Sequence, residues 1–131
     1  MIIPQSKIQL GYVRHGDFGC GCYFARNKTD LRKRRYIYSE SMDGPAYINV
    51  NGKNLELQPI ASSETNGEEG VGRRSWQTFT AGDLRIRLEL TVTWVCPPKD
   101  EGCEVTYYKA ILTVSGKGQK ITENLTGMCG C

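Results

Sequence analysis

The chain has 131 residues and a mass of 14.7 kDa, with 39% hydrophobic and 24% charged residues, which predicts a single folded domain over 1–131. Its net charge of +3 and pI near 8.5 permit a nucleic-acid partner without indicating one, so we expect the partner to be of another class. No apolar run is long enough to span a bilayer.

Short stretches of alternating polar and apolar residues predict strands along the first half of the chain, at 8–12, 35–39, 46–50, 53–57 and 75–79. Asn51 and Gly52 lie between two of these stretches. They favour a tight hairpin turn, because both turn positions require positive φ and Asn and Gly tolerate it.

The longest alternating segment covers 84–96, where every even position is apolar. Period two over that length predicts a strand with one buried face, and Trp94 belongs to that face. Turn residues after Cys96 and a second strand at 105–114 predict a hairpin. The apolar residues of the second strand change parity between Tyr107 and Ala110, so we expect a β-bulge there, at 107–109.

A last strand is predicted at 119–126, and no segment of the chain shows sustained helical spacing. The predicted fold class is therefore all-β. We expect an antiparallel meander of about eight strands closed as a small barrel, with a sandwich as the alternative.

Six cysteines form three local pairs along the sequence. The pairs are Cys20 and Cys22, Cys96 and Cys103, and Cys129 and Cys131. Residues two apart in a strand point to the same side, so each Cys-Gly-Cys segment presents two sulfurs together. If the first and last strands are neighbours, antiparallel pairing joins Cys20 to Cys131 and Cys22 to Cys129, and the third pair closes the hairpin loop. This arrangement favours three structural disulfides in an oxidising compartment.

A metal site is the alternative use of the two Cys-Gly-Cys segments. Four thiolates, from Cys20, Cys22, Cys129 and Cys131, could surround zinc, a cuprous ion or an iron–sulfur cluster. Structural zinc sites usually have two residues between paired cysteines, and these segments have one. The disulfide interpretation is therefore preferred, and no cofactor is predicted.

Two other clusters have simple interpretations. His15, the only histidine, lies near Asp17 and Cys20, but a cysteine in a disulfide cannot act as a nucleophile, so we expect no enzymatic activity. The basic run 32–35 precedes two tyrosines and could hold phosphates while bases stack on the rings. A solvated turn leading into a strand is the simpler interpretation of that run.

Part of the sequence resembles a known family. The order of 46–57, Ser62 and Ser63, a glycine-rich loop, 76–79 and 81–83 is similar to that of bacterial membrane-bound inhibitors of C-type lysozyme. The resemblance implies a small periplasmic β-barrel that inserts a polar, serine-containing loop into the cleft of lysozyme. The chain differs from that family in its greater length and in its two Cys-Gly-Cys segments.

The longest stretch without an apolar pattern is 62–74, which predicts a polar surface loop that contacts a partner. The candidate partner-binding residues are Ser62, Ser63, Glu64, Asn66, Arg73 and Arg74. We expect a non-enzymatic binding or structural module, periplasmic or secreted, with a protein or small-ligand partner. The first residues lack the pattern of a secretory signal, so we expect the numbering to begin after a removed leader, with Met1 added.

Overall fold

The structure is a computed structural model that describes residues 7–14, 19–63 and 70–131. The described residues form nine β-strands and one short α-helix. The strands are β1 (Leu10–Gly11), β2 (Gly21–Ala25), β3 (Tyr38–Ser41), β4 (Ala46–Val50), β5 (Lys53–Ser62), β6 (Arg74–Ala81), β7 (Leu84–Trp94), β8 (Val105–Gly116) and β9 (Gln119–Gly130), and the helix is α1 (Lys28–Arg32).

The strands form one antiparallel sheet that closes on itself. Neighbouring strands follow the order β1-β4-β3-β2-β9-β8-β7-β6-β5, and an additional pairing of β4 with β5 joins the ends. The eight strands from β2 to β9 therefore form a closed barrel. The extra strand, β1, pairs with the end of β4 on the same side of β4 as β3. The predicted antiparallel all-β barrel is confirmed, and the sandwich alternative is wrong.

The hairpin between β4 and β5 has the predicted turn. Val50 pairs with Lys53, and both turn residues have positive φ, 52° at Asn51 and 88° at Gly52. The Asn49 side-chain oxygen accepts a hydrogen bond from the Gly52 N–H at 3.0 Å. Both features fix the register of the hairpin, because the tight turn determines which residues of the two strands face each other.

The long hairpin of β7 and β8 contains a β-bulge, but the bulge is in the strand opposite the predicted one. Val92 pairs with Tyr108 and Trp94 pairs with Tyr107, which leaves Thr93 without an opposite residue. The predicted position in β8 is therefore wrong. Because an extra residue turns the following side chain over, Trp94 leaves the buried face to which its parity assigned it and is exposed on the outer wall.

Apolar side chains from alternate strand positions fill the barrel interior. Its fully buried residues include Phe24, Ile37, Tyr38, Ile48, Leu57, Ile86, Leu88, Leu112 and Val114. An eight-stranded barrel has an interior just wide enough for its own side chains. These side chains fill the described interior, which is therefore a packed core.

A smaller apolar cluster lies on the outer wall, between β2 and α1. Tyr23, Ala25 and Tyr36 are buried in it, and Leu31 of α1 packs against them. The rings of Tyr23 and Tyr36 stack with centroids 4.8 Å apart. Phe24, between Tyr23 and Ala25 in sequence, belongs to the interior core, so β2 is covered on both of its faces.

The sequence predicts no helix, and a local signal accounts for α1. Asn27 has extended backbone geometry, and its side chain accepts a hydrogen bond from the Asp30 N–H at 2.8 Å. This N-cap satisfies one of the free N–H groups of the first turn. A helix of five residues is too short to show periodicity in the sequence. It is also too short to be stable by itself, so the packing of Leu31 must stabilise it. Within the described residues, no helix has the length and apolar character needed to cross a membrane.

Candidate functional site

All three disulfides lie at one end of the barrel. They join Cys20 to Cys131, Cys22 to Cys129 and Cys96 to Cys103, as the sequence predicts. Cys22 and Cys129 are direct partners in the register of β2 and β9. Val105, at the start of β8, pairs with Gly130 near the end of β9, so the loop that contains the third disulfide is at the same end. Two of the bonds therefore tie the early part of the chain to its last residues.

The four-thiolate metal site that the sequence leaves open is not formed. Its four sulfurs are all in disulfides, so none of them is a thiolate that could bind a metal. They belong to Cys20, Cys22, Cys129 and Cys131. In the part of the chain that the structure describes, no group of three or more His, Cys, Asp and Glu side chains is placed to hold a metal ion. The disulfide interpretation of these segments is the correct one.

The predicted partner-binding residues do not converge on one cleft. Ser62 lines a cavity of about 450 Å³ beside Gln77 and Glu40, whereas Arg73 lines a separate cavity of about 410 Å³ at the third disulfide. The Ser63 hydroxyl accepts a hydrogen bond from the Trp76 N–H at 2.9 Å, which gives it a structural role.

The remaining members of that set add no site. Arg74 is exposed and pairs with Thr91 in the register of β6 and β7. Glu64 and Asn66 lie outside the described residues, as do His15 and Asp17. The contact role of 62–74 therefore stays a prediction, and the two described ends of the segment line different cavities.

The basic run 32–35 has the geometry of a solvated turn. It completes α1 and leads toward β3, and its four side chains are exposed. The two tyrosines that follow it are only 8% and 0% exposed, at Tyr36 and Tyr38, so their rings offer no surface to bases. Burial raises the pKa of the Tyr38 hydroxyl well above its ordinary value, and the Glu40 carboxylate raises it further.

The described surface presents one aromatic site that the sequence interpretation does not identify. Tyr23, Met128, Tyr107 and Trp94 are successive partners across β2, β9, β8 and β7, and they form a row along the outer wall. The row begins beneath α1 with buried Tyr23 and ends with Tyr107 and Trp94, which are 40% and 43% exposed. The rings of Tyr107 and Trp94 pack edge to face, with centroids 5.7 Å apart.

This row forms the floor of a surface groove of about 700 Å³. We call it the aromatic groove. It is lined by Lys28, Leu31, Arg32, Thr93, Trp94, Tyr107, Thr126 and Met128. Lys28, Leu31 and Arg32 are spaced i, i+3 and i+4 in α1 and therefore share the face of the helix that borders the groove.

Two features of the sequence hide the aromatic groove. The parity of 84–96 assigns Trp94 to the buried face, and only the bulge at Thr93 turns it outward. The helix that forms the other side of the groove gives no periodic signal. Tyr107 and Ala110 are three positions apart and therefore face opposite sides of a regular strand. This spacing is the one sequence signal that points to an exposed aromatic residue at this position.

Comparison of the chain with protein families, characterised proteins and solved structures finds no match. The functional inference therefore rests on the surface that the fold presents.

Proposed function

We propose that the chain is a non-catalytic binding module of an oxidising compartment, periplasmic or secreted, and that its contact surface is the aromatic groove. The observation that carries this proposal is the pair of exposed, adjacent aromatic side chains, Trp94 and Tyr107, in the floor of a groove on the wall of a barrel with a filled interior. Exposed apolar patches of this kind mark interaction sites, and Trp and Tyr are enriched among the residues that dominate binding energy.

The cysteines support the compartment. All six are in disulfides, and disulfides persist where the surroundings are oxidising, as outside the cytoplasm. The Cys22–Cys129 bond lies one residue from Tyr23 and Met128, so the cross-link reinforces the wall beneath the groove. Because the sulfurs are all bonded, no cysteine can serve as a nucleophile, which supports a role in binding over one in catalysis.

Selection from a library of displayed random peptides tests the proposed contact surface. The oxidised protein is the target, and a Trp94→Ala variant with the same disulfides is used for counter-selection. We expect enrichment of peptides that bind the wild-type protein and lose binding to the variant. If repeated selections enrich no peptide whose binding depends on Trp94, the aromatic groove is not a contact surface and the proposal fails.

Lysozyme inhibition is a second candidate function. Its support is the resemblance of 46–57 and 76–83 to the lysozyme inhibitors, together with the closed barrel that this resemblance implies. Ser62, which belongs to the same resemblance, lines the cavity next to Glu40 and Gln77 at the barrel end. Hydrolysis of bacterial cell walls by a C-type lysozyme, measured with increasing amounts of the oxidised protein, tests it. An unchanged rate at a large molar excess excludes this candidate.

A further inference from the structure

The charged side chains that line the aromatic groove have one sign. Lys28 and Arg32 lie one helical turn apart on the face of α1 that borders it, and no carboxylate lines the groove among the described residues. The one acidic residue of α1, Asp30, is two positions from Lys28 and faces away, with its carboxylate 3.9 Å from the Arg35 guanidinium. The groove therefore presents cations beside apolar rings.

A second copy of the chain does not fit this charge pattern. A symmetric dimer through two identical grooves would bring the cations of both copies into one interface with no groove carboxylate to pair with them, which is unfavourable. Lys109 adds to this effect, because it is exposed on the outer wall two residues after Tyr107 in β8. The charge pattern favours an anionic partner.

An acidic peptide fits the groove better than the other anionic partners do. A fatty acid needs an enclosed apolar cavity, but this groove is open and the interior of the barrel is filled. A nucleic acid needs several exposed rings for its bases, whereas Tyr23, Tyr36 and Tyr38 are buried. A peptide can place one apolar side chain on Trp94 and Tyr107 while its carboxylates reach α1.

We propose that the aromatic groove binds an extended acidic peptide segment in which acidic and apolar residues alternate. This proposal rests on the proposed binding function and specifies its partner. Side chains two apart in an extended peptide point the same way and are about 7 Å apart, close to the distance of about 6 Å between positions i and i+4 of a helix. Carboxylates on one side of the segment then pair with Lys28 and Arg32, and the apolar residue between them packs against Trp94.

The test is a titration of the oxidised protein with defined peptides, each with blocked ends and five residues of alternating Glu and Phe. Binding is followed by the indole N–H resonance of Trp94, distinguished from that of Trp76 by a Trp94→Phe variant. Matched peptides carry Gln for Glu or Ser for Phe. We expect saturable binding of the acidic peptide that is at least about tenfold tighter than that of either control peptide.

Charge variants locate the carboxylate contacts. Lys28→Gln with Arg32→Gln should weaken binding of the acidic peptide by about tenfold or more. Lys53→Gln with Arg85→Gln removes the same charge from exposed positions outside the groove lining and should change the affinity by less than about twofold. Equal losses in the two double variants would show a general charge effect and overturn the proposal.

Other outcomes separate this proposal from the function on which it rests. If the displayed peptides that depend on Trp94 are neutral or basic, the groove is a contact surface but the proposal of an acidic partner is wrong. Tighter binding by dodecanoate, or by a hexamer of deoxythymidine, with the same shift of the Trp94 resonance would also overturn the acidic-peptide proposal. If neither displayed nor synthetic peptides depend on Trp94, both proposals fail.

Discussion

Trp94 of β7 and Tyr107 of β8 are register partners whose rings meet edge to face on the outer wall of the barrel. Trp94 takes this position because Thr93, the extra residue of β7, turns it away from the interior. Both rings remain substantially exposed, so they contribute less to the core than apolar residues of similar size in the interior. This exposure supports the proposed binding role of the two residues.

Replacing Trp94 should therefore cost little stability. Trp94→Ala is expected to lower the free energy of unfolding by less than about 1 kcal/mol, since the ring is 43% exposed on the outer wall. Leu112→Ala, in the filled interior, should cost about 2 to 5 kcal/mol. Urea denaturation of both oxidised variants measures the difference. A loss at Trp94 equal to that at Leu112 would contradict the interpretation of the ring as a contact residue.

Either of the two terminal disulfides should preserve most of the stabilisation when the other is removed. Each closes a loop of more than a hundred residues, but once one is formed the other closes only a small ring of Cys-Gly-Cys segments. Removing Cys20–Cys131 by paired serine substitutions should cost about 2 kcal/mol, and removing both bonds about 7 kcal/mol in the chain-entropy model.

The control for this prediction is the Cys96–Cys103 bond, which closes a loop with a sequence separation of 7. Its loss should cost about 2 to 3 kcal/mol whether or not the terminal bonds are present. Denaturant unfolding of the three sets of serine variants gives these free energies. Strictly additive losses for the two terminal bonds would show that they do not share the closure of one long loop.

Gly127 of β9 allows β2 to approach closely. A Cβ at this position would overlap the carbonyl oxygen of Tyr23 and the ring of Phe24, both in the neighbouring strand. Gly127→Ala should therefore destabilise the protein by about 2 to 3 kcal/mol. Gly70→Ala is the matched control, because a Cβ there meets no atom within 4 Å, and it should change stability by less than about 0.5 kcal/mol. Equal melting temperatures for the two variants would disprove the close approach.

Buried Tyr38 predicts a loss of stability at alkaline pH. Its hydroxyl donates a hydrogen bond to the Glu40 carboxylate at 2.6 Å, and burial raises its pKa above the ordinary value of 10.0. The contribution to stability is complete below pH 10.0 and declines above it, because the unfolded chain loses this proton while the folded chain keeps it.

Comparison with Tyr38→Phe isolates this effect from the titration of lysines and other tyrosines. The variant should lose about 1 kcal/mol at neutral pH, because the hydrogen bond is gone, and should show a shallower decline of unfolding free energy between about pH 9 and 11. Denaturant unfolding across that range measures both slopes. Parallel slopes for the wild-type protein and the variant would show that the Tyr38 hydroxyl ionises normally in the folded state.

The sequence predicts those parts of the fold that depend on local or strictly periodic patterns. Asn51 and Gly52 specify a turn that needs positive φ at both positions, and the structure has it. The Cys-Gly-Cys segments predict the terminal disulfide pairing, because side chains two apart share one side of a strand and barrel closure brings the terminal segments together. Both predictions follow from backbone geometry that varies little between proteins.

The aromatic groove could not be predicted, because it depends on tertiary contacts between distant segments. Its cations come from Lys28 and Arg32, and its rings come from residues more than sixty positions later in the chain. A single bulge residue, Thr93, decides whether Trp94 faces the interior or the outer wall, and parity alone gives the wrong face. The helix α1 is formed by one cap and one packed leucine, which no window of the sequence distinguishes from a turn.

The disulfides that cross-link β2 and β9 support the proposed oxidising compartment and reinforce the wall that carries the groove. Mass spectrometry of the protein isolated without reduction tests this cross-linking most directly, with partial reduction and fragmentation to separate bonds that share one peptide. The predicted result is a mass about 6 Da below that of the all-thiol chain, with Cys20 bonded to Cys131 and Cys22 to Cys129. Retained thiols, or a bond between Cys20 and Cys22, would contradict it.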